Sequence, residues 1–123
     1  MQDRSRRLAD LRQPWARAEL LAYLEELAAP DPRAIWIDET RRGLVSGIDQ
    51  IIHFFFDDHD LDHRALGDVL IDKGEVAAVK PVLCALDHLV QRLPDGGDDD
   101  YAGHAAWPAV RNAAREALER LRA

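Results

Sequence analysis

Cysteine occurs once, at Cys84, so no internal disulfide can form. With Leu83, Ala85 and Leu86 around it and no basic side chain beside it to activate the thiol, Cys84 reads as a core residue of an apolar helix surface, not a nucleophile. Serine is confined to Ser5 and Ser46, neither of them in a nucleophile elbow, which removes serine-based acyl chemistry. Gly96-Gly97 is followed by aspartates that would repel a phosphate, so a nucleotide-cradling loop is absent too. No stretch approaches the ~20 apolar residues that cross a bilayer. The charged start, Met1 to Arg7, is not followed by the apolar run of a signal peptide, and a cytoplasmic protein without a membrane partner is expected. Lysine stands only at Lys73 and Lys80. The other basic residues are arginine, which with the abundant alanine suggests GC-rich coding rather than a mechanism.

What is present suits one small globular domain. The chain has 123 residues, 47% hydrophobic and 32% charged, enough apolar surface for one core and too little for two. Residues 1–123 are read as a single helical domain, with residues 1–12 a flexible or helical extension. The net charge of -7 is uneven. Basic and acidic residues balance from Met1 to Leu44, acidic ones dominate from Val45 to Asp100, and basic ones lead slightly from Tyr101 to Ala123. An acidic middle repels a phosphate backbone and attracts a basic protein, so nucleic acid is not expected as a partner, although Arg4, Arg6, Arg7 and Arg12 offer a weak local contact.

The apolar spacing predicts an all-α bundle of four to six helices. Pro14 suits a first helical turn, and Leu20, Leu21, Leu24, Leu27 and Ala28 recur at helical steps, so a helix over 14–28 should stop before Pro30. Ala34-Ile35-Trp36-Ile37 is too short for periodicity to decide and is left irregular. Ser46, with Asp49 three residues on, is the expected cap of a helix over 47–57, whose apolar residues Ile48, Ile51, Ile52 and Phe54 to Phe56 make it the centre of the bundle. Leu66, Val69, Leu70 and Ile71 fit a short helix ending at Gly74. Val76, Val79, Val82, Leu83, Leu86, Leu89, Val90 and Leu93 form a stripe that runs through Pro81, predicting a kinked or two-part helix. Residues 94–106 read as a solvated loop. Pro108 then opens a last helix to Arg122, with Glu116 and Arg120 placed to pair. Trp15 and Trp36 are expected in the core, and Trp107 as a hydrophobic staple.

Two clusters suggest chemistry. In Asp57-Asp58-His59-Asp60-Leu61-Asp62-His63, a calcium loop fails because His63 replaces the turn glycine and Val69 the bidentate glutamate. Asp49, His53, Asp57 and Asp58 remain as metal candidates, the first three being four residues apart on one helical face. The structural alternative pairs His53 with Asp49 or Asp57 at the core edge. The second cluster, Asp95 with Asp98, Asp99 and Asp100, leads into Tyr101. Acidic residues beside an aromatic ring are the composition of a surface for a basic partner. Asp57, Asp58, Asp60, Asp62, Asp98, Asp99, Asp100 and Tyr101 are therefore the expected partner-binding residues. No catalytic residue and no cofactor are expected, and the apolar fraction leaves room for a homo-oligomer.

Ile48-Asp49 with Ile52-His53-Phe54-Phe55-Phe56-Asp57-Asp58, Val76 to Val79, Ala85-Leu86-Asp87, Tyr101, His104, Trp107-Pro108 and Val110-Arg111 together resemble a family of small uncharacterised actinobacterial helical proteins. The resemblance implies no reaction, cofactor or catalytic residue. In size and acidity the chain is also similar to the immunity proteins of bacterial toxin systems, which implies an inhibitor of a basic protein; the rival function is a metal-binding protein or metal-dependent hydrolase.

Overall fold

A computed structural model of the chain describes residues 8–123, and Arg4, Arg6 and Arg7 lie outside the described residues. Those described residues form six α-helices, so the expected all-α bundle is what the chain builds. Helix α1, Pro14–Ala28, starts on its proline and ends where Ala29 turns extended (ψ 149°) ahead of Pro30. It buries Leu20, Leu24 and Leu27 completely, each contributing about 1.5–3 kcal/mol of transfer free energy. Trp15, expected inside, is 63% exposed, because it lies outside that stripe.

Helix α2, Arg33–Arg41, occupies the segment left irregular by periodicity. Its start is local: the Asp31 carboxylate accepts the Arg33 backbone N–H at 3.0 Å and the Arg33 side chain at 2.9 Å. Trp36 points inward and meets Trp107 edge to face, ring centroids 6.3 Å apart. Helix α3, Ile48–Ile52, continues without a break as a π-helical turn, His53–Asp58.

The short helix expected to carry Leu66, Val69, Leu70 and Ile71 and to end at Gly74 is not formed. A 3-10 turn, His63–Ala65, is followed by a tight loop in which Ala65 O accepts the N–H groups of Asp68, Val69 and Leu70. These bonds replace helical ones while Val69, Leu70 and Ile71 are buried. Helix α4, Lys73–Arg92, is capped by Asp72, whose carboxylate accepts the Glu75 N–H at 2.9 Å. Gly74 therefore sits in its first turn instead of closing an earlier helix. The helix passes through Pro81 as one element, with the proline on its exposed side. The lost hydrogen bond thus faces water, where it costs least. Cys84 is also exposed, which corrects its assignment to the core: the buried residues Val79, Val82, Leu86 and Leu89 define the other side of the helix.

The 94–106 segment contains a short helix α5, Asp98–Ala102, with the acidic run as its first turn. Helix α6, Trp107–Arg122, packs along both α1 and α4 and holds the central place expected of the 48–56 segment. Arg120 pairs with Asp72 at 3.1 Å rather than with Glu116, joining the end of α6 to the cap of α4.

One polar contact runs through this core. Arg17 on α1 and Glu75 on α4, 6% and 0% exposed, form a bidentate pair at 2.8 and 2.9 Å. Arg17 also donates to Val69 O at 3.0 Å and Leu121 O at 3.1 Å, and Glu75 accepts the Ile71 N–H at 2.7 Å. Removing one partner leaves a buried charge uncompensated, so Arg17→Met or Glu75→Gln should each lose about 3–5 kcal/mol in urea unfolding. The double variant Arg17→Met/Glu75→Leu should lose less than the sum of the single losses; strict additivity would contradict the coupling.

Candidate functional site

The α3/π-helix positions the candidate site, and its entry is set by a distant residue. Gly47 has φ +130°, and a Cβ there would sit 2.9 Å from the Asp98 carboxylate. That carboxylate accepts the Ile48 N–H at 2.8 Å. The cap expected from Ser46 and Asp49 is absent; Gly47 is the N-cap residue, and the acceptor comes from α5. At the far end the wider π turn brings Phe54 and Phe55 both into the core, 2% exposed each, and leaves Phe56 at 37%.

Phe54 organises the site around itself. Its ring lies 5.0 Å from Tyr23 on α1, 5.4 Å from Phe55 and 4.6 Å from the His59 ring. Tyr23 is half-buried. Burial pushes its hydroxyl pKa upward, and the negative charges of Glu19, Glu26, Asp58 and Glu39 push it further. The four carboxylates come from three elements, α1, α2 and the π-helical turn, each near enough to raise the tyrosine pKa. Glu26 is itself shifted upward, mainly by burial and then by Glu39, against the hydrogen bond at 2.8 Å from the Trp36 indole N–H. Beyond Asp58 a shallow cleft of about 210 Å³ is lined by Gln13, His59, Asp60, Arg64 and Asp68 among others. A wider depression of about 670 Å³, beside Asp10, Leu66, Gly67 and Lys73, gathers charges of both signs.

The predicted residues are distributed unevenly over this geometry. His53 Nδ1 and Asp57 Oδ2 are 2.5 Å apart on the surface. Asp49 lies near enough to raise the Tyr101 pKa, and Asp58 near enough to raise that of Tyr23. Among the described residues no three His, Cys, Asp or Glu side chains are grouped to hold a metal ion. Asp60 and Asp62 share Arg64, at 3.4 and 2.7 Å, and Arg64 holds the Asp62 carboxyl well below the usual carboxylate range. In the second run Asp98 caps α3, Asp99 lies 3.6 Å from Arg33, and Asp100 accepts the Gly97 N–H at 2.9 Å. Tyr101, expected on the surface, is 2% exposed and donates its hydroxyl to Leu93 O at 3.2 Å. The two acidic runs also stay apart. One meets the start of the 48–58 helix and the other leaves its end, roughly 15 Å away at 1.5 Å per residue.

Sequence reasoning missed the tyrosine, although a signal existed. Glu19, Tyr23 and Glu26 follow at steps of four and three, one stripe of an α-helix, parallel to the leucine stripe. Glu39 and Asp58 join it only through tertiary packing.

The fold is an all-helical bundle in which Tyr23 and Phe54 meet at 5.0 Å. The chain belongs to the family described as Domain of unknown function (DUF7945), which matches residues 11–123. That match begins at Leu11, the first described residue buried in the core. No curated protein and no solved structure matches the chain.

Two outcomes test this geometry. Asp98→Ala should cost about 0.5–2 kcal/mol in urea unfolding, the range for losing a helix cap. Because the folded-state pKa of Glu26 is raised, the folded chain holds its proton longer than the unfolded one. That contribution is present below the unfolded pKa and lost as pH rises through the folded pKa. Glu26→Gln keeps an oxygen for Trp36 and removes the titration, so its stability relative to the native chain should rise as the pH is raised above the ordinary glutamate pKa of about 4.3. A pH-independent difference would contradict the assignment.

Proposed function

We propose that this protein acts by binding rather than by catalysis, as an acidic interaction module of the cytoplasm whose Tyr23 face docks a basic protein. The observation that carries the reading is the half-buried Tyr23: its ring is in tilted contact with the Phe54 ring at 5.0 Å, and its hydroxyl pKa is raised by burial and then by the negative charges of Glu19, Glu26, Asp58 and Glu39. The negative charge felt at the tyrosine attracts an arginine or lysine from a partner, which can rest on the aromatic ring. Tyrosine supplies contact area at low entropic cost, and the surrounding charge speeds encounter. The same charge disfavours nucleic acid. An immunity-type inhibitor covering a basic toxin is a specific form of this function and suits the size and the net charge of -7.

The reading narrows the partner surface. Asp58 belongs to it, while Asp57 lies against His53, Asp60 against Arg64, and Asp98 and Asp100 serve the chain's own helices. The test is capture of basic proteins from the native cells, followed by reconstitution with the purified partner. Glu39→Lys/Asp58→Lys should slow association about tenfold or more and flatten its salt dependence, whereas Asp99→Lys should change it little. Equal association by the first variant and the native chain would overturn the proposal.

A further inference from the structure

Two stretches of chain far apart in sequence form the walls of the depression of about 670 Å³. Asp10 and Leu11, just ahead of α1, make one wall, and the loop from Leu66 with the first turn of α4 makes the other. Backbone bonds fix the two together: the Arg12 N–H donates to Gly67 O at 3.0 Å and the Gln13 N–H to Asp68 O at 2.9 Å. Leu11 and Ile71 are buried, and half-buried Leu66 adds a third apolar side chain. Two glycines leave the rest of the wall bare. Gly67 holds φ +84°, and at Gly74 a Cβ would collide with the Arg120 guanidinium that reaches Asp72. The charges around the opening differ in what they already do. Asp68 is held by Arg12 and Asp72 by Arg120. Among the described residues Asp10 and Lys73 have no such partner, and both are exposed.

We propose that this depression binds a small apolar zwitterion, an α-amino acid with an aliphatic side chain or a short peptide of such residues. The Lys73 ammonium meets its carboxylate, the Asp10 carboxylate meets its amine, and its side chain rests against Leu11, Leu66 and Ile71. An apolar lining with one unengaged charge of each sign selects that chemistry. A polyanion such as a nucleotide would be repelled by Asp10 and Asp72, and a simple cation by Lys73. A metal ion lacks ligands here, since no three His, Cys, Asp or Glu side chains among the described residues are grouped to hold one. The volume falls within the ~300–1,000 Å³ of small-molecule cavities. Burial of the ligand's side chain supplies affinity, and the two charges fix its orientation. The walls are formed before the ligand arrives, because the 65–70 loop is already hydrogen-bonded on itself, so little ordering is needed. None of the residues acting on Tyr23 lines the depression, and the inference stands independently of the docking face.

In nitrogen–proton correlation spectra of the full chain, titration with L-leucine and with leucyl-leucine should move the Gly67 and Gly74 amide signals saturably. Tighter binding of the dipeptide assigns a peptide as the ligand, and tighter binding of leucine a free amino acid. Glycine, which lacks the apolar side chain, should bind about tenfold more weakly than leucine. Lys73→Gln and Asp10→Asn, both at exposed positions, should stay folded by circular dichroism and each weaken leucine binding about tenfold. Analogues separate the two contacts. N-acetylleucine, without the amine charge, should be indifferent to Asp10→Asn, and leucinamide, without the carboxylate, to Lys73→Gln. No saturable shift at Gly67 and Gly74 with either probe, equal binding of glycine and leucine, or leucine binding unchanged by either substitution would each overturn the inference.

Discussion

The fold depends on a guanidinium and a carboxylate that meet without water. Arg17 and Glu75 come from helices whose remaining inward residues are aliphatic, and taking either charge out of solvent alone would cost several kcal/mol. The cost is offset because every group around them is satisfied: two bonds between the side chains, one from Ile71 N–H, and one each to Val69 O and Leu121 O. A planar bidentate pair accepts a narrow range of geometries, so α1, α4, the 69–71 loop and the end of α6 share one register. Leucine stripes alone tolerate sliding far better, since hydrophobic contact has no direction.

With that frame set, the 48–58 segment lies against α1 through Phe54 and Tyr23. Around its two ends several carboxylates serve the chain's own structure. Asp98 caps the first turn, Asp62 is held by Arg64, and Asp100 closes its own helix start. These carboxylates accept hydrogen bonds that the backbone or an arginine would otherwise direct to water. Glu19, Glu26, Asp58 and Glu39 instead act together on Tyr23, raising its pKa, at a place marked by no aspartate run.

Periodicity located α1 to the residue at both ends, the stripe of α4, and α6 from Pro108 onward, because each is long enough for a repeat of three and four to stand out. It failed where an element is short or begun from outside. Helix α2 starts on an aspartate two residues upstream of its first residue, α3 on one fifty residues away, and the loop after Leu66 replaces helical bonds with three donors on one carbonyl. Arg17 and Glu75 were legible in retrospect: each stands in register with a buried stripe, Arg17 ahead of Leu20 and Leu24, Glu75 ahead of Val79 and Val82.

The sequence by itself determined that this is an all-helical, acidic domain with one core, since apolar spacing and charge count are properties of the chain and survive any arrangement of its helices. Only the tertiary structure decided which charges stay on the surface and which cap a helix or lie buried. A carboxylate's role depends on what lies within a few ångströms of it, and for Asp98, Asp58, Glu39 and Glu75 those neighbours come from distant parts of the chain.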